Sequence, residues 1–95
     1  MTKDIEKICK HYGKTQLDIA QEELAELIQA ISKYKRYGGM QQTIYSVEEE
    51  IADVEVMLQQ VIWVVGCNRK IIDEIKEEKV RRQLGRIKEE WKTRY

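Results

Sequence analysis

The chain predicts an all-α fold, and three observations carry that expectation. It contains no proline and only five glycines in 95 residues, so little interrupts long helical runs. Apolar residues recur at three- and four-residue steps over most of its length, the period of helices buried along one face. Charged residues make up 36% of the sequence, which suits amphipathic helices joined by brief loops. Ninety-five residues form one small domain, 1–95, with a modest core. A helical chain of this size often completes its core by association, so the expectation is a four-helix bundle completed by oligomerisation.

The first helix spans 2–12, with Ile5, Ile8 and Cys9 on one side and Gly13 closing it as a C-cap. The second runs from 15 to about 37. Thr15 is its expected N-cap, and Gly38 and Gly39 end it. Leu17, Ala20, Leu24, Leu27, Ile28 and Ile31 make its core stripe, extended on one flank by Ile19, Ala30 and Tyr34. Within that extended arc lies Glu23, with Glu26 at its margin and Gln16 pointing the same way. A mobile loop is expected at 38–45. Ser46 then opens the third helix through the capping box Ser46-Val47-Glu48-Glu49, which makes Glu48 and Glu49 first-turn cap acids.

The third helix, 47–65, has the strongest apolar signal. Val47, Ile51, Val54, Leu58, Val61 and Val65 form one stripe, and Glu50 falls inside it while Asp53 lies at its edge. A second strip of Ala52, Val56 and Trp63 implies a second neighbour, either another helix or another subunit. Gly66 and Asn68 mark a break, with Asn68 capping a last helix that runs to about 92. Its pattern changes phase. Ile71, Ile72 and Ile75 face one way and Val80, Leu84, Ile87 and Trp91 another, which implies a kink near 76–78 or two burial partners. Lys79, Arg82 and Arg86 line up away from the Val80 stripe.

Basic and acidic residues both number 17, so no net charge calls for a nucleic acid polymer or an anionic membrane. The balance is locally uneven. Glu48, Glu49, Glu50, Asp53 and Glu55 crowd the third helix, whereas Lys79, Arg81, Arg82, Arg86, Lys88, Lys92 and Arg94 crowd the last. The two segments are expected to meet within the chain or between subunits, or to build a site of both characters. Cys9 and Cys67 have no metal-type spacing and read as two reduced thiols. His11, the single histidine, reads as a surface or packing residue. The N-terminus MTKDIEKICK has no apolar h-region, and the apolar run 61–65 is too short to span a membrane, so a cytoplasmic location is expected.

Four carboxylates stand out. Glu23 with Glu26, and Glu50 with Asp53, are pairs three residues apart, each on one helical face beside a buried arc. If the two helices are antiparallel neighbours, the pairs converge. Converging carboxylates without histidine make a hard oxygen site suited to Mg²⁺ or Mn²⁺ rather than zinc or copper. The bound cation would offset the cost of burying the charges.

The motif Glu22-Glu23-Leu24-Ala25-Glu26, followed 23 residues later by Glu50-Ile51-Ala52-Asp53, resembles the paired ExxE and ExxD signature of the MazG-like nucleotide pyrophosphohydrolases, in the all-α NTP pyrophosphatase superfamily. The resemblance runs from Gln16 to about Arg86. It implies a MazG-like bundle, homodimeric or homotetrameric, that hydrolyses a nucleoside triphosphate to the monophosphate and pyrophosphate with Mg²⁺, as in house-cleaning of nucleotide pools. Glu23, Glu26, Glu50 and Asp53 would take the metal-ligand and catalytic positions, and one of them or Glu22 would orient the attacking water. Lys79 and Arg82 would neutralise triphosphate oxygens, in the same subunit or across a boundary, and Gln16 would contact base or ribose. Phosphoribosyl-ATP pyrophosphatase is a similar relative, but it carries a Tyr-His pair soon after the ExxD aspartate. Here Asp53 is followed by Val54-Glu55-Val56-Met57, which disfavours that assignment. The alternative class is a non-catalytic helical interaction module whose carboxylates pair with Lys79, Arg82 and Arg86.

Overall fold

The computed structural model describes residues 2–94. Four helices, α1 (Lys3–Tyr12), α2 (Thr15–Tyr37), α3 (Gln41–Val65) and α4 (Arg69–Arg94), account for nearly all of them, and no strand occurs among the described residues. The side chain of Arg94 lies outside the described residues, so the basic series of α4 is described as far as Lys92.

Local chemistry explains most of the boundaries. Thr2 caps α1, its Oγ1 accepting a hydrogen bond from the Ile5 amide at 3.3 Å. Gly13, Gly38 and Gly66 end the first three helices at φ 63°, 76° and 84°, a region that a side chain disfavours. Asn68 is the expected cap of α4, with Oδ1 accepting from the amides of Lys70 and Ile71 at 2.9 and 3.3 Å.

Two expected caps are not formed. Thr15 is the first residue of α2 rather than its cap, and its hydroxyl donates back to the Tyr12 carbonyl at 2.7 Å. More consequentially, α3 begins at Gln41, so most of the expected 38–45 loop is helix. Ser46 therefore sits inside the helix, its hydroxyl donating to the Gln42 carbonyl at 3.1 Å, and no Ser46 capping box exists. The physical reason is Ile44. It lies one turn before Val47, and the two line an apolar recess with Ile31 and Tyr34 of α2, so tertiary packing extends the helix past the local stop signal. Glu48 and Glu49 are consequently mid-helix residues, not first-turn acids.

Packing is dominated by the antiparallel α2–α3 hairpin. α1 lies mainly on α3, and α4 packs along none of the other three. The seam is rotated from the stripes that hydrophobicity predicts. On α2 the buried residues are Ala20 and Ala30, while Leu24, Ile28 and Ile31 are exposed. On α3 Val54, Met57 and Gln60 are buried, while Ile51, Leu58 and Val65 are exposed. Small alanines allow the two backbones to approach, and burying Met57 contributes about 1.5–3 kcal/mol.

The second strip finds no full cover within the chain, since Val56 and Trp63 remain partly exposed. α4 is continuous from Arg69 to Arg94, neither half of it packs along another helix of the chain, and the four-helix bundle is not closed within a single chain. Its dimensions, 56 × 35 × 19 Å with a radius of gyration of 17.3 Å, reflect this extended arm. A compact chain of this length has a radius of gyration of about 12 Å.

Candidate metal centre

The antiparallel hairpin sets a simple register across the seam. Gln16 stands opposite Gln60, its Nε2 donating to Gln60 Oε1 at 2.6 Å. Two turns further along α2, and two turns back along α3, Glu23 stands against Asp53, side chain to side chain. One turn beyond, Glu26 stands in the same relation to Glu50. Steps of seven and three residues keep these side chains on one azimuth of each helix, so a single seam carries an amide pair and then four acids.

One carboxylate oxygen from each of Glu23, Glu26 and Glu50 lies within 4.8 Å of the other two. Glu23 and Glu50 are half-buried and Glu26 is exposed, so the cluster is open on one side. Asp53 is exposed at its edge, facing Glu23 rather than joining the tight group of three. The Oε2 atoms of Glu23 and Glu50 are buried and accept no hydrogen bond. Every ion pair among the described residues lies within one helix, three or four residues apart, and none involves these acids. Buried carboxylate oxygens without a donor are costly.

The electrostatics follow from this crowding. Burial pushes the Glu23 carboxyl above the ordinary carboxylate value, and the charges of Glu26, Asp53 and Glu50 push it the same way. Glu50 is also raised, by burial first and then by Glu26 and Asp53. In both Glu23 and Glu50, burial and the neighbouring carboxylates act against the charged form. The donor set fits a hard divalent cation. It offers carboxylate oxygen alone, supplies orphaned lone pairs, and leaves an exposed side for water or phosphate oxygens.

The other expected site residues lie elsewhere. Gln16 is half-buried two turns from Glu23, and its amide nitrogen is engaged by Gln60. Gln60, only 3% exposed, was not singled out by the sequence pattern. Its seven-residue step from Asp53 is the signal that places it on the seam. Lys79 and Arg82 sit on α4, lining a small basic recess with Gln83 and Arg86, away from the hairpin acids. Arg82 instead lies 3.8 Å from Glu78 on its own helix. The acidic and basic segments therefore do not meet within the described chain.

The thiols take the free state expected of them. Cys9 is fully buried, with burial raising its pKa, and Cys67 is exposed. No helix among the described residues is long and apolar enough to cross a membrane. Comparison with family models, curated proteins and solved structures gives no match for this chain.

Proposed function

We propose that the protein is a Mg²⁺-dependent nucleoside triphosphate pyrophosphohydrolase of MazG-like type, with Mn²⁺ as an alternative metal. The observation that carries this reading is the pair of buried, unpartnered carboxylate oxygens on Glu23 and Glu50, set within reach of Glu26. The ExxE and ExxD resemblance supplies the reaction class. Glu23, Glu26, Glu50 and Asp53, less any one of them that orients the water, would hold the metal, which when bound would supply charge neutralisation for the phosphate oxygens.

The chain's own groups do the remaining work. A carboxylate of the cluster not engaged with metal, or the exposed Glu22 beside it, orients the attacking water and accepts its proton. Water oxygen bonds to the α-phosphorus as the bond to the bridging oxygen of the β-phosphate breaks. The products are a nucleoside monophosphate and pyrophosphate. Lys79 and Arg82 offset charge on the departing pyrophosphate. Since α4 stands away from the acids of its own chain, a neighbouring copy contributes them in a homodimer or homotetramer. Gln16, held by Gln60, is the candidate contact for base or ribose. House-cleaning of a cytoplasmic nucleotide pool is the role that fits this chemistry.

The second reading, a helical interaction module, needs the acids to be paired with basic residues. No such pair occurs among the described residues, so that reading needs a partner chain to supply the cations. Incubation with a panel of canonical and modified NTPs and dNTPs plus Mg²⁺ separates the two. The expected product is pyrophosphate, whereas orthophosphate or no release from any substrate would overturn the enzyme reading.

A further inference from the structure

The chain exposes 8151 Å², against about 5,700 Å² for a compact folded monomer of 11.3 kDa, so about 2,400 Å² is in excess. A standard interface takes about 800 Å² from each partner, so this excess is on the scale of an extensive, obligate contact. Much of it is apolar and lies on two surfaces. On α4, Val80, Leu84 and Ile87, with Trp91 next in the same four- and three-residue register, are each between 51% and 63% exposed. Between α2 and α3, Ile31, Tyr34, Ile44 and Val47 line an apolar recess with Glu48 at its rim. Leu24 and Ile28 continue it along α2, and Ile51 and Leu58 along α3, at helical steps that keep them on the same side of the hairpin. Each chain thus has an apolar arm that packs along no helix of its own and an apolar groove without a cover.

Charge decides what fits the groove. Glu48 and Glu55 are seven residues apart on the outer margin of the α3 stripe, and no ion pair among the described residues engages either. Arg81 and Lys88 are also seven residues apart, on one margin of the α4 stripe. Both spacings are two helical turns, about 10.5 Å. Arg81 is engaged only by the exposed Glu78 at 2.7 Å, a weak surface pair that can exchange. Groove and arm are therefore complementary in shape class, charge sign and charge spacing, and both belong to one neutral chain. A two-fold operation makes the same contact twice.

We propose that α4 of one copy seats Val80, Leu84 and Ile87 in the α2–α3 groove of a second copy, and reciprocally, forming an arm-exchanged homodimer in which Arg81 and Lys88 face Glu48 and Glu55. This contact leaves Lys79, Arg82 and Arg86 on the outer side of α4, away from the partner's hairpin, so their approach to an acidic seam takes place between dimers, in the homotetrameric form of the enzymatic reading. It holds whether or not the acidic seam binds metal, so its failure and that of the enzymatic reading are separate outcomes.

The test is sedimentation velocity on the full chain over a range of micromolar concentrations, with helicity checked by circular dichroism. Wild type is expected to be dimeric or a multiple of dimers, and Leu84→Glu monomeric. Arg81→Glu with Lys88→Glu should weaken association about tenfold or more, as should Glu48→Lys with Glu55→Lys. Combining all four changes in one chain should restore it. A monomeric wild type, a Leu84→Glu variant that associates like wild type, or a four-fold variant no tighter than either double would overturn the arm exchange. The second of these outcomes would point to hairpin-to-hairpin association instead.

Discussion

Glu23 and Glu50 each bury one carboxylate oxygen without a donor, and that defines the most informative residues in the molecule. Both bind their protons more tightly in the folded chain than in the unfolded one. The stability this contributes is complete below the ordinary carboxylate value of 4.5 and is lost as pH rises through the raised folded values. In chelator, Glu50→Gln is therefore expected to melt above wild type at neutral pH, with the gap closing as pH falls towards 4.5. Added Mg²⁺ should raise the wild-type midpoint and leave the variant unmoved, because only a complete acid set gains from binding. Pyrophosphate release should fall by about a hundredfold or more in Glu50→Gln and change little in Glu48→Gln. Equal losses in the two variants would sink the division between seam and margin acids. The seam membership of Glu23 and Glu50 is legible in the sequence as polar residues inside apolar arcs, and that of Glu26 and Asp53 as polar residues at their margins. The mid-helix position of Glu48 and Glu49 is not, because it depends on where the helix begins.

Helix limits show which local signals survive packing. Asn68 and the glycines at 13, 38 and 66 set boundaries where the sequence places them, since each satisfies end groups that no neighbour competes for. Ser46 has the same type of signal, yet it lies within α3 because Ile44 and Val47 find apolar partners on α2. Chemical denaturation should separate the two serviceable-looking caps. Asn68→Ala is expected to cost about 1 kcal/mol, while Ser46→Ala should stay within about 0.5 kcal/mol. A larger loss at Ser46 than at Asn68 would restore the later helix start.

At the scale of the whole molecule, the buried apolar set among the described residues is small: Ile5, Cys9, Ala20, Ala30, Val54 and Met57. Ordering each residue costs about 1–2 kcal/mol of backbone entropy, and the 26-residue α4 packs along none of the other three helices, so the arm-exchanged dimer predicts that folding and association are coupled. The melting midpoint should accordingly rise with protein concentration, as it does when folding and association are coupled. A midpoint that is constant over a hundredfold range of about 1–100 μM would mean that the single chain is self-sufficient.

The four helices, most of their glycine and asparagine boundaries, and the two acid pairs follow from the order of residues alone. These depend on local backbone preference and on a period of 3.6 residues, both of which a single chain carries in its order of residues. The rotation of the α2–α3 seam, the early start of α3, the Gln16 and Gln60 pairing, and the separation of α4 from the acids come instead from packing between helices. Hydrophobicity identifies faces that avoid water, but several faces compete to be buried first. Close approach at Ala20 and Ala30 set these small side chains of α2 against Val54, Met57 and Gln60 of α3, and left Leu24, Ile28, Ile31, Ile51 and Leu58 for another surface.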